Sequence, residues 1–271
     1  MGVLNVTPDS FSDGGRFAAL EAALVQARAL IAAGADALDI GGESTRPGAE
    51  PVAEAVELAR VLPVIEAIRG FSDVLLSIDT RKPGVARAAV AVGAAMWNDI
   101  TALSGAPDSL EVAAELGRPV VLMHMKGEPR TMQDDPRYAD PVGEVSAYLL
   151  ARADKAMAAG VRQEDIWFDP GIGFGKRLEH NLALLANLDR LATYGFPVLL
   201  GVSRKRTVLH IDPTAADPND RIGGSLAMAL HGAGMGVTAL RVHDVRETVQ
   251  ALAVQAAIRD FPRSEAPAAS G

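Results

Sequence analysis

The sequence of 271 residues contains no cysteine, which excludes disulfides and a thiolate nucleophile together. It has no apolar run near the roughly 20 residues needed to cross a bilayer, and no basic stretch followed by an apolar segment opens it. A chain with neither feature is expected in the cytoplasm, without membrane contact. Positive charge is in short supply. Against 34 Asp and Glu there are 26 Lys and Arg, so the net charge is −8, and general nucleic-acid binding is disfavoured. An anionic ligand would have to be met by a few locally placed cations.

Several familiar chemistries lack their motifs as well. There is no HExxH, and the five His are scattered, which argues against a structural zinc site. GVSRK (201–205) lacks the second glycine of a nucleophile elbow. GIGFGK (171–176) resembles a phosphate loop, but Pro170 stands where its first glycine belongs and Arg177 where Ser or Thr belongs.

What the chain does have is a repeated grammar. Eight short apolar stretches each end in a polar residue: 2–6, 37–42, 74–79, 96–100, 119–124, 166–170, 197–203 and 239–244. Continuous apolar runs of this length suit strands covered on both faces. Ala-, Leu- and Glu-rich segments with helical spacing lie between them, such as 18–34 and 53–70. Six of these end in glycine, at Gly34, Gly70, Gly93, Gly160, Gly195 and Gly236, as expected of a residue that leaves a helix with φ > 0. Eight strands alternating with eight helices predict a single-domain α/β fold, a (β/α)8 TIM barrel over 1–260. A doubly wound sheet would leave two units over. Residues 261–271 have tail composition and are expected to be disordered and to do no chemistry.

In such a barrel the active site lies where strands end and βα loops begin. The polar residues there are Asn5, Asp39, Glu43, Asp79, Asn98, His124, Asp169, Ser203, Lys205, Arg241 and His243. Asp79, Asn98 and Asp169 suit the donor and acceptor edge of a flat heterocycle. Lys205, Arg241 and His243 form a cationic arc suited to phosphate or diphosphate, with Ser203, Arg204 and Arg206 beside Lys205. Asn5 offers a hard oxygen to a Mg²⁺ ion that keeps most of its waters. Asp39 and Asp244 are open between capping the next helix and function, and His124 between structure and function.

The blocks MGVLNVTPDSFSDGG (1–15), DIGGESTRPGA (39–49), SIDTRKP (77–83), NDI (98–100), LMHMKGEPRTMQ (122–133), DPGIGFGK (169–176), GVSRK (201–205), GGSLA (223–227) and RVHDV (241–245) resemble the signature blocks of the dihydropteroate synthase family, in order. The resemblance implies an enzyme that condenses 6-hydroxymethyl-7,8-dihydropterin diphosphate with p-aminobenzoate, requires Mg²⁺, and works as a homodimer. It implies that Asp79, Asn98, Met123, Asp169 and Lys205 hold the pterin. Asn5, Asp13, Arg46, Arg241 and His243 are implied for diphosphate and metal, with Asp13 and Arg46 on two mobile loops. Thr45, Pro47, Phe174, Ser203 and Lys205 are implied for p-aminobenzoate, the place where sulfonamides compete. Two departures stand out: the chain begins almost on its first strand, which is expected to cost stability rather than chemistry, and Ile172 replaces a common Phe, which is expected to loosen packing near Phe174. A catalytically silent pterin-binding paralogue, or a pterin-dependent methyltransferase on the same barrel, is the alternative reading.

Overall fold

A computed structural model describes residues 1–6, 15–44, 49–128 and 130–262, with side chains from residue 18 onward in the first helix. Six strands form one parallel sheet in chain order: β1 (Gly2–Asn5), β2 (Ala37–Gly41), β3 (Leu75–Asp79), β4 (Met96–Asp99), β5 (Val120–Met123) and β6 (Ile166–Asp169). Two further strands, β7 (Leu199–Leu200) and β8 (Ala239–Leu240), pair with each other. Parallel bridges join Phe168 to Val198 and Gly2 to Val242, so β6 meets β7 and β8 meets β1. Backbone bonds at both seams, Phe168 N–H to Pro197 O (2.8 Å) and Val3 N–H to Val242 O (2.9 Å), close the ring into the eight-stranded barrel that the sequence predicts.

The regular part of the last two strands is shorter than their apolar runs suggest. Thr238 and Ala239 both donate to Val198 O, at 2.9 and 3.1 Å, so two residues of one strand face one of the other. Helices α1 (Gly15–Ala32), α2 (Glu54–Arg69), α3 (Pro83–Ala91), α4 (Ser109–Leu116) and α5 (Pro141–Ala158) follow the first five strands. The sixth unit breaks into α6 (Leu178–Leu185) and α7 (Leu188–Ala192), and the seventh carries α8 (Arg206–Ile211) and α9 (Ile222–Gly234) before α10 (Val245–Asp260) ends the described fold. Five of the six glycines expected past helix ends have φ between +81° and +121°. Gly70 is the exception: at φ −65° it extends the last turn of α2 instead of leaving it. None of the helices described is long and apolar enough to cross a membrane. Of the expected tail 261–271, the residues from 263 on lie outside those described.

Strand periodicity divides the core in two. Leu4, Leu38, Ile40, Leu76, Ile78, Trp97, Leu122 and Phe168 point outward and pack under the helices in the main apolar cluster. Met96, Val121 and Leu199 point inward and, with Met1, Trp167 and Ala239 against them, plug the barrel floor. On every strand but β5, where Met123 follows Val121, polar residues of the same parity sit one or two steps further along, so the pleat delivers them to the mouth above an apolar floor. Ile172 is 1 % exposed and belongs to the main core.

Candidate active site

The strand registers set the polar ring. Asn5 pairs with Gly41, Gly41 with Asp79, and Asp79 with Asn98, which puts these residues at one level around the mouth. Met123 pairs with Asp169 on the next two strands. Asp79, Asn98, Met123, Asp169, Lys205 and Arg241 line one pocket, closed on its remaining side by Ile100, Gly201 and the 171–174 loop with Phe174. The pocket opens to solvent at the mouth, and its empty volume counted out to that opening is about 350 Å³.

Arg241 organises the acidic side. Its Nη2 donates to Asp79 Oδ2 at 2.7 Å, and its Nε donates to Asp39 Oδ2 at 2.6 Å. Asn98 Nδ2 donates to the same Asp39 oxygen at 3.0 Å. Asp39 is therefore not a helix cap: it is fully buried in mid-strand, and it orients two pocket residues. Burial pushes the Asp79 carboxyl up to about 7, although Arg241 beside it works in the opposite direction. The Arg241 guanidinium loses hydration, yet the carboxylates of Asp39 and Asp79 raise its pKa further.

On the other arc, Asp169 Oδ1 accepts the N–H of Gly171 at 2.7 Å. Burial raises the Asp169 pKa, while that bond and the charges of Lys205, Lys176 and Arg241 counter the rise. Lys205 is lowered to about 8 by burial, opposed mainly by Asp169, and its Nζ lies 4.4 Å from the centre of the Phe174 ring.

Three sequence expectations need revision. His243 is not a cation: burial and the neighbouring Arg241 and Arg204 lower it to about 4, and its Nδ1 lies 3.1 Å from Ser203 Oγ. Ser203 also accepts the His243 N–H at 3.2 Å, so the two are partners of each other. Arg204 does not join Lys205. At φ +58° its side chain turns to grip Asp244 through two bonds of 3.0 and 2.6 Å. Glu43 is taken up in ion pairs with Arg81 and with Lys82, which also bonds the buried Glu57. Asp13, Thr45, Arg46 and Pro47 lie outside the described residues.

His124 proves structural, and it reveals a residue the sequence did not single out. Its Nδ1 lies 2.9 Å from the Nζ of Lys176, which is 2 % exposed behind the pocket wall. Burial and that lysine lower His124 to about 3, so its ring is neutral, and toward an ammonium, which has no lone pair, its Nδ1 is the acceptor. The glycines of 171–176 serve this packing. A Cβ on Gly171 (φ +65°) would meet His124 O at 2.0 Å, and one on Gly175 (φ +61°) would meet Lys126 O at 2.2 Å.

A model of the family described as "Pterin binding enzyme" matches residues 1–243. The chain is 48 % identical over 254 residues to the dihydropteroate synthase of Escherichia coli (strain K12), covering 94 % of this chain and 89 % of that protein. The chain belongs to the pterin-binding enzymes, among the dihydropteroate synthases. Solved structures of that family share its fold. The Xanthomonas albilineans dihydropteroate synthase with 4-aminobenzoic acid superposes with a TM-score of 0.91 at 49 % identity, covering 97 % of this chain and 93 % of that one. The Yersinia pestis dihydropteroate synthase in complex with a sulfonamide drug gives 0.90 at 46 % identity, with 96 % and 94 % covered.

The Mg²⁺ that the family resemblance implies can be tested against the residues present. Among the described residues no three His, Asp or Glu side chains cluster as a metal site. Asn5 Oδ1 and Asp79 Oδ2 flank Gly41, where an added Cβ would lie 3.7 and 3.6 Å from them and narrow the gap. A single carboxamide oxygen near a carboxylate that Arg241 already holds fits an ion that takes most of its ligands from water and diphosphate.

Proposed function

We propose that the chain makes 7,8-dihydropteroate, joining 6-hydroxymethyl-7,8-dihydropterin diphosphate to p-aminobenzoate, and that the polar ring at the barrel mouth does this work. The observation that carries the assignment is the arrangement of Asp79, Asn98 and Asp169 around one pocket that Lys205 and Arg241 also line. Planar carboxylates and a carboxamide, 9 % exposed or less, present paired acceptors and donors to the edge of a pterin ring. Met123 packs on its face.

The bond to be broken joins the pterin CH₂ to a diphosphate oxygen. Pterin ring nitrogens can feed electrons toward that carbon as the bond lengthens, so the protein has to favour positive charge on the ring and negative charge on the leaving group. Asp79 and Asp169 supply the first condition by anchoring the ring. Arg241 supplies the second, and His243 adds a hydrogen bond. Mg²⁺, held by Asn5 and diphosphate oxygens, would supply further positive charge at the leaving group. The amine of p-aminobenzoate is already unprotonated near neutral pH, so attack requires no strong general base. Phe174 would lie against its ring, and Ser203 and Lys205 would face its carboxylate, with Thr45 and Pro47 closing the site. Sulfonamides, with an aniline of the same shape, would compete there. Asp13 and Arg46 would complete the diphosphate site and help to exclude water. Assignment as a cytoplasmic homodimer rests on the chain's composition and family resemblance.

A steady-state assay of diphosphate release from the two substrates tests the reading. Turnover that requires both substrates is expected, and sulfonamide inhibition should be competitive with p-aminobenzoate. Pterin binding without any diphosphate release would favour a silent binding protein.

A further inference from the structure

Lys176 is buried, and among the described residues no carboxylate forms an ion pair with it. Its Nζ is instead within hydrogen-bond distance of the carbonyls of His124 (3.1 Å), Gly171 (2.9 Å) and Phe174 (3.0 Å), besides His124 Nδ1. Four acceptors therefore share three protons. A buried ammonium without a paired anion is costly, and burial lowers this one to about 7 against the pull of Asp169. An apolar side chain of equal length would fill the same space without that cost. The ammonium does what such a side chain cannot, which is to gather carbonyl oxygens that would otherwise repel one another.

Those oxygens come from the end of β5 and from the loop after β6. Side chains meet two more carbonyls of that loop: Gln133 donates to Gly173 O at 2.5 Å and the Tyr138 hydroxyl to Gly175 O at 2.8 Å. The loop is thus fixed through its backbone, as buried polar groups require. Its pocket side carries Phe174, and its first N–H holds Asp169.

We propose that Lys176 is a positioning residue for the second substrate: its ammonium fixes the backbone of 171–174 and thereby the Phe174 face on which the p-aminobenzoate ring is to lie. The inference rests on the assignment of Phe174 to that substrate.

Because the chain has no cysteine, Lys176→Cys introduces a single thiol. Alkylating the unfolded variant with 2-bromoethylamine and refolding it restores an ammonium at lysine length. Alkylation with 1-bromopropane gives the same length without charge or protons to donate. Wild type carried through the same steps is the control. The aminoethyl form should keep KM for p-aminobenzoate within about threefold of wild type, whereas the propyl form should raise it at least roughly tenfold, with pterin affinity changed by less than about threefold. In a Phe174→Ala background the two forms should differ by less than about twofold, because Lys176 acts through that ring. Equal KM values in the two alkylated forms, or a difference that persists without the Phe174 ring, would overturn the proposal. So would a propyl form that cannot refold when the aminoethyl form can, since Lys176 would then serve folding rather than the substrate. Control protein that refolds but makes no dihydropteroate would overturn the functional assignment, and the proposal with it. An active control with unaffected variants overturns the proposal alone.

Discussion

Arg241 Nη2 donates to Asp79 Oδ2 across 2.7 Å, while the same guanidinium holds Asp39 through its Nε. One cation thus serves two buried carboxylates at the barrel mouth, and a pterin that pairs with Asp79 has to share that carboxylate with Arg241. Coupling of this kind links ring binding to the cation assigned to the leaving group.

Arg241→Ala should leave Asp39 and Asp79 buried without their counter-charge. A loss of about 3 kcal/mol is expected at pH 8, the usual size when one member of a buried pair is removed. At pH 6 the loss should be smaller, because Asp79 then relieves the strain by taking up a proton. Urea unfolding of wild type and variant at the two pH values measures this. Equal losses at both would contradict it.

Asp79 also predicts a pH dependence of its own. Its folded-state pKa, about 7, lies above the ordinary 3.8. The folded protein therefore holds a proton that the unfolded chain has released between about pH 4 and pH 7. Its contribution to stability is full below that window and is lost as the pH rises through 7. Pterin ring donors select the ionised form, so binding below pH 7 should expel the proton. Pterin affinity should climb from pH 6 to pH 7, by less than about tenfold, and flatten above. Calorimetry in two buffers of different ionisation enthalpy reads the released proton directly. Proton uptake, or release that survives in Asp79→Asn, would contradict the assignment.

Gly171→Ala should be among the most damaging small substitutions. A left-handed backbone disfavours any Cβ, and this one would lie 2.0 Å from the His124 carbonyl. Destabilisation of about 3 kcal/mol or more is expected, against less than about 0.5 for alanine at Gly223, where a Cβ meets nothing within 4 Å. Chemical denaturation of the two variants tests the contrast. Similar losses at both positions would count against tight packing of the two loops.

The barrel was readable because apolar strand runs ending in polar residues carry both burial and direction in one dimension. Asp79, Asn98, Met123, Asp169, Lys205 and Arg241 fall into one pocket for that reason. Asp39 was half readable. Its position two residues before Gly41 gives the inward parity, but only the closed ring brings Arg241 across to it. Lys176 was not readable, because its partners are backbone carbonyls of two loops and no side-chain pattern records them. Arg204 misled for a similar reason: a single left-handed residue sent it to Asp244 rather than to the pocket. The break between α6 and α7, and the extra residue at Thr238 opposite Val198, are also local backbone events without a compositional mark.

The central claim is that buried carboxylates on β3 and β6 hold the pterin. Calorimetric titration of a 6-hydroxymethylpterin into wild type, Asp79→Asn and Asp169→Asn tests it most directly, with thermal unfolding of each protein as the control for folding. An amide sets a donor against a ring donor, at a cost of about 1 to 3 kcal/mol, so each variant should bind at least about fivefold more weakly while unfolding cooperatively. Unchanged pterin affinity in both folded variants would contradict the account.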